Sequence, residues 1–142
     1  MKAVAFSVKN FEKVFLARAN SKKHDITLIS NPLSLETAVY ARGKEAVIVF
    51  TSDDVSATMI RIFAGYGVKY IITRSLTMDH IDIAAATHYG IKLANISGYP
   101  YQNKRKSAFG LPNDSSFTNA DLQWVADQTI HNLDLWNHPV KI

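Results

Sequence analysis

Short apolar runs alternate along this chain with stretches whose apolar residues recur at helical spacing. Ala3 to Phe6 is a run of strand length that ends at the polar Ser7. Phe11, Val14, Phe15 and Ala19 then fall at i, i+3, i+4 and i+8, with Asn10 placed as N-cap. Asp25 to Ile29 predicts a second strand, and a helix capped by Ser34 and stopped by Gly43 follows. Ala46 to Phe50 is apolar at every position, as a central parallel strand covered on both faces should be. A helix capped by Ser56 carries Met59, Ile60 and Phe63, and Gly65 and Gly67 close it; either Asp53 or Asp54 is expected as a helix-cap ligand. Tyr70 to Thr73 is the fourth strand. A helix through Ile81, Ile83, Ala84 and Ala85 stops at Tyr89-Gly90, and Ile91 to Ile96 is the fifth strand.

Five strands alternating with helices predict an α/β fold: a flavodoxin-like, open five-stranded parallel sheet with helices on both faces. In such sheets ligands sit in the crevice at the carboxyl ends of the strands. From Tyr101 to Ser116 the periodicity stops, in a polar, basic stretch punctuated by Pro and Gly. Thr118 to Asp121 then reads as a capping box. Leu122, Val125, Ala126, Thr129, Ile130, Leu133 and Trp136 form one stripe of a C-terminal helix that must dock on the sheet. The whole is one domain of 142 residues, with 101–116 as a linker and 117–142 as a returning helix.

Composition narrows the chemistry. The chain is 47% hydrophobic and 20% charged, with a net charge of +4, as an ordinary soluble globular protein is. It has no cysteine, which removes disulfides, thiolate catalysis and Cys-based zinc sites. Its apolar runs fall well short of the ~18 residues of a membrane span, and no secretory leader is evident, so a cytoplasmic location is expected. The cations are scattered except at Lys22-Lys23 and Lys104 to Lys106, which speaks against nucleic-acid binding. The five histidines, His24, His80, His88, His131 and His138, do not occur at i, i+4 spacing, and no metal site is expected.

Arg74 to Tyr99 runs strand, loop, helix, Gly, strand, Tyr. This pattern resembles the substrate domain of D-2-hydroxyacid dehydrogenases, in particular the D-lactate dehydrogenase branch. There a strand ends in Arg-x-Ala-Gly, an Asn-x-Asp-Leu helix follows, and the next strand closes on Pro-x-Tyr-Ser-Pro. The tail strengthens the resemblance: Leu111-Pro112-Asn113, then Phe117 to Leu122, match the family's return from its nucleotide-binding domain to one last helix. The resemblance therefore implies both halves of a substrate domain, with the nucleotide-binding domain replaced by the linker. It also implies that Ser75, Leu76 and Thr77 match the loop whose backbone N–H groups hold the substrate carboxylate, although the family prefers Ala-Gly where this chain has Leu76-Thr77. Tyr99 matches a Tyr lining the family's substrate pocket. Thr51 and Ser52, at another strand's carboxyl end, are further candidates for substrate binding.

The family uses NAD, yet none of the six glycines makes a Gly-x-Gly-x-x-Gly, so no cofactor is expected in this chain. The family's catalytic Arg and Glu belong to the replaced domain, and its His falls where this chain has Asp114 to Ser116. The expectation is a stand-alone substrate domain without oxidoreductase activity of its own. It would bind a small 2-keto or 2-hydroxy carboxylate, or serve as an interaction module, with a homodimer favoured over a monomer. The alternative is a subunit of an NAD-dependent oxidoreductase completed by a separate nucleotide-binding protein.

Overall fold

A computed structural model of the chain describes residues 1–96 and 119–137. The elements are β1 (Lys2–Ala5), α1 (Asn10–Asn20), β2 (Asp25–Leu28), a 3-10 turn (Ala38–Ala41), β3 (Ala46–Val49), α2 (Ala57–Gly65), β4 (Tyr70–Thr73), α3 (Ile83–His88), β5 (Lys92–Asn95) and α4 (Asn119–Asn137). The five strands form one parallel sheet in the order β2-β1-β3-β4-β5. This is the doubly wound arrangement expected, and its direction of winding reverses between β1 and β3.

The pleat divides the core in two. Ala3, Ala5, Ala46, Ile48 and Ile72 face one way and pack against Phe15 and Leu16 of α1 and Ala126, Ile130 and Leu133 of α4. Val4, Phe6, Val47, Val49 and Ile71 face the other way, under Met59, Ile60 and Phe63 of α2, Ala86 of α3 and Ala38 and Ala41 of the 3-10 turn. Helices thus cover both faces, and α4 docks as its stripe predicts, with Trp136 stacked on Tyr70 at a ring separation of 4.5 Å.

Four local expectations are corrected. The stretch from Ser34 to Tyr40 is not an α-helix; Thr37 Oγ1 donates to the Pro32 carbonyl and receives the Ser34 N–H, so side-chain bonding fixes a turn before one short 3-10 segment. Lys9, not Asn10, is the N-cap of α1, which places Glu12 at N3, where its carboxylate accepts the Lys9 N–H at 2.9 Å. The buried face of α1 turns with it: Glu12, Phe15 and Leu16 are inside, while Phe11 and Val14 are each 52% exposed. Ile81 lies outside α3, in a parallel bridge with Val55, and Asp82 caps that helix through the Ala85 N–H. The capping box at Thr118 and the linker 101–116, Lys104 to Lys106 included, lie outside the described residues.

Candidate functional site

The carboxyl ends of β1, β3 and β4 are locked together by one buried cation. Arg74 follows β4 directly and is completely buried. Its Nε donates to Glu12 Oε2 at 2.9 Å, and Nη2 reaches Glu12 Oε1 at 3.4 Å and the Ser7 carbonyl at 3.1 Å. Nη1 donates to the Val49 carbonyl at 3.3 Å, and the guanidinium lies over the Phe50 ring, 5.3 Å from its centroid. Arg74 therefore ties the first turn of α1 to the last residues of β1 and β3.

Asp53 is the second anchor. It is 1% exposed, and its carboxylate accepts from Ser7 Oγ at 2.7 Å, the Leu33 N–H at 3.0 Å and the Phe50 N–H at 2.8 Å. Neither it nor Asp54 caps α2; Ser56 does, through the Met59 N–H. Ser7 sits between the two anchors at φ 57°, a left-handed conformation that a non-glycine residue holds only when its surroundings over-determine it. Three contacts do so here: its hydroxyl to Asp53, its carbonyl to Arg74 and its N–H to the Asn31 carbonyl.

A third network shapes the loop after β4. Ser75 Oγ donates to the Thr77 carbonyl at 2.9 Å, which leaves it an acceptor for the Thr73 hydroxyl at 2.6 Å. Thr73 Oγ1 in turn receives His80 Nε2–H at 2.8 Å. The chain of donors thus runs from His80 through Thr73 and Ser75 to Thr77, and it leaves Nδ1 as the bare imidazole nitrogen. That atom is buried without a partner among the described residues. Burial lowers the pKa of His80 below its ordinary 6.5, against the opposing pull of Asp53, Asp79 and Asp54.

The loop carbonyls are also committed: that of Ser75 receives the Ile96 N–H at 3.1 Å and that of Leu76 receives Asn95 Nδ2 at 2.8 Å. Its amides are not. The N–H groups of Ser75, Leu76 and Thr77 donate to no acceptor among the described residues, although Ser75 is fully buried. Successive unclaimed amides at the end of a strand are what a carboxylate needs. Leu76, larger than the small residue the family pattern has there, packs its side chain with Phe50, Ile96, Val125 and Trp124, against the start of α4.

Of the residues singled out from the sequence, Ser75, Leu76 and Thr77 form this loop, with Ser75 buried and the other two half-buried. Thr51 and Ser52 lie at the carboxyl end of the adjacent β3, Thr51 half-buried and Ser52 exposed. Tyr99 lies outside the described residues. Glu12 and Thr73 were not singled out; Arg74 was read only as the residue that opens the loop, Asp53 only as a candidate helix-cap ligand, and His80 only as a histidine at the wrong spacing for a metal site. The one signal for Glu12 is its spacing from Phe15 and Leu16, i+3 and i+4, which puts the three on one helix face. Among the described residues no group of three or more metal-ligating side chains occurs, and no helix is long and apolar enough to cross a membrane.

Comparison with known proteins identifies the family. Residues 4–105 match the catalytic domain of the D-isomer specific 2-hydroxyacid dehydrogenases, and the chain belongs to that family. It is 30% identical to the D-lactate dehydrogenase of Escherichia coli over 112 residues, 78% of this chain and 34% of that protein. The apo structure of the E. coli enzyme superposes with a TM-score of 0.68 over 70% of this chain and 32% of that one, at 31% identity. A D-lactate dehydrogenase from Lactobacillus jensenii, solved with NAD+, gives a TM-score of 0.62 over 70% of this chain and 31% of that one, at 25% identity. A D-lactate dehydrogenase structure from Salmonella shares the fold over 93% of this chain and 50% of that one, with a TM-score of 0.67 and 24% identity. The chain spans about a third of the length of the curated relatives it matches.

Proposed function

We propose that this chain is a substrate-domain module of the 2-hydroxyacid dehydrogenase family that binds a small 2-keto or 2-hydroxy carboxylate at the loop Ser75 to Thr77. The observation that carries this reading is the run of three amides that donate to no acceptor among the described residues, held by a loop whose carbonyls and Ser75 hydroxyl are already committed. A loop fixed in this way has no ordering cost left to meet when the anion arrives. Leu76 does not obstruct it, because its side chain is turned into the cluster at the start of α4. Thr51 and Ser52 at the end of β3, and Tyr99 through the family resemblance, are the side chains proposed to complete the pocket.

In this reading the module transfers no hydride by itself, since it offers no glycine-rich turn on which a dinucleotide could lie. A second reading is that the module supplies the substrate half of an oxidoreductase whose NAD-binding half is a separate protein, consistent with its match to the catalytic domain of the family. A thermal-shift titration with oxamate, pyruvate and D-lactate tests the site. A ligand that binds only the folded state raises stability by RT ln(1 + [L]/Kd), about 2.7 kcal/mol at a hundredfold excess over Kd. A rise with oxamate, absent with the neutral oxamide, is expected. No shift with any of the three acids would refute carboxylate binding. Turnover of pyruvate with NADH by the purified chain would refute the absence of hydride transfer, and turnover only after adding an NAD-binding partner would select the second reading.

A further inference from the structure

A separate cleft lies between α2 and α3, away from the loop after β4. It is an open surface cleft of about 280 Å³, lined by Ala57, Thr58 and Arg61 of α2 and by Ala85, His88 and Tyr89 at the end of α3. Its apolar lining comes from Ala57 and Ala85, Ala85 half-buried and Ala57 exposed. Its rim is polar and cationic: the Arg61 guanidinium, the Thr58 hydroxyl, the His88 imidazole and the Tyr89 phenol. No carboxylate lines it. Arg61 makes no ion pair or hydrogen bond among the described residues, whereas Arg18, Arg42 and Arg74 all have a partner group or ring.

The sequence sets this arrangement. Thr58 and Arg61 are three apart on α2, and Ala85, His88 and Tyr89 fall at i, i+3 and i+4, so each helix presents one face to the cleft. His88 and Tyr89 meet edge to face at 4.9 Å, which stands the Tyr89 ring up as a wall, 41% exposed. An apolar lining, one aromatic wall and a permanently charged planar fork make a definite combination. It suits a planar carboxylate carried on a flat apolar body: the ring against Ala57, Ala85 and Tyr89, the carboxylate paired with Arg61 through two parallel N–H donors. The volume is at the small end of ligand pockets and limits the occupant to about one ring.

We propose that the α2–α3 cleft is a second binding site, for a small aromatic carboxylate, with Arg61 as its anion-recognising residue and Tyr89 as its wall. Benzoate and its neutral counterpart benzamide are the probes, titrated into the full-length chain while backbone amide NMR shifts are followed. Benzoate is expected to shift residues 57–61 and 85–89 saturably. Benzamide, and benzoate with Arg61→Gln, should each bind at least about tenfold more weakly. Tyr89→Ala should weaken benzoate too, and both variants should melt with the unaltered protein, since both side chains are exposed. Equal binding of benzamide, indifference to Arg61→Gln, or no saturable shift in the cleft would overturn the proposal. Shifts confined to 74–77 would do so as well, while supporting the carboxylate loop.

Discussion

Arg74→Met should be among the most damaging single substitutions in this chain, and the structure says why. Both partners of the ion pair are out of water: the Arg74 side chain is 0% exposed and that of Glu12 5%. Methionine fills much of the same volume but removes all four hydrogen bonds. Glu12 keeps only the Lys9 N–H, and the Ser7 and Val49 carbonyls lose their guanidinium donor. Breaking a buried pair by removing one partner costs about 3–5 kcal/mol, because the remaining charge stays buried without compensation. A domain of this size has only about 5–15 kcal/mol in all. At roughly 2–4 °C per kcal/mol the melting temperature should fall by about 6–20 °C. Glu12→Leu alone should be comparably harmful, leaving the guanidinium unpaired. The double variant should then be less destabilised than the sum of the two, since it leaves no buried charge and only the Ser7 carbonyl to find another donor, the Val49 carbonyl keeping the backbone N–H of residue 74. Urea denaturation of all four proteins measures the cycle. A loss below about 1 kcal/mol for Arg74→Met, or a coupling below about 0.5 kcal/mol, would refute the clamp.

The loop after β4 should be acid-sensitive. The folded pKa of His80 is lowered by burial, so the folded state binds fewer protons than the unfolded one; stability is fully present above 6.5 and is lost as pH falls through the folded value. Melts between pH about 7.5 and 5.5 should show that slope, and His80→Asn should flatten it. At lower pH Asp134 acts in the same direction: burial works to raise its pKa, but the hydrogen bonds and charges of Lys23 and His24 outweigh it and hold the carboxyl below its ordinary 3.8. Its contribution is present above 3.8 and lost as pH falls through the depressed value; Asp134→Asn should remove that part of the acid transition, worth under about 1 kcal/mol for this partly exposed pair. Gly90→Ala meets nothing within 4 Å but must adopt φ 72°, so a loss of about 1 kcal/mol is expected from backbone strain alone, read by urea denaturation. A neutral result there would show that the turn between α3 and β5 relaxes.

The sheet was legible because its signal is redundant. Ala46 to Val49 is apolar at every position, and only a strand buried on both faces needs that. The Gly65, Gly67 and Gly90 stops and the stripe of α4 were equally plain. Errors arose wherever one local bond chose between alternatives. Thr37, bonded to Ser34 and Pro32, turned an expected helix into a turn. Glu12, drawn inward by Arg74, moved the start of α1 by one residue and turned Phe11 and Val14 outward. Pattern reading passed over Glu12, because its partner is 62 residues away in sequence. The loop from Ser75 to Thr77 was found through its resemblance to a family motif. The networks that hold it, from Asp53 and His80, could not be found in that way, since each depends on which strand ends lie side by side.

Those networks also bear on why a loop without the family's small residues can keep its shape. In the family pattern a small residue gives a ligand access to the backbone. Here Leu76 occupies that place, and access depends on where its side chain goes. Phe50, Ile96 and Val125 supply an apolar site for it, and Val125 belongs to α4. The helix that covers Ala46, Ile48 and Ile72 in the middle of the sheet therefore also packs against Leu76. One packing contact serves both the core and the candidate site, so the loop and the docking of α4 should respond together to any change at Leu76.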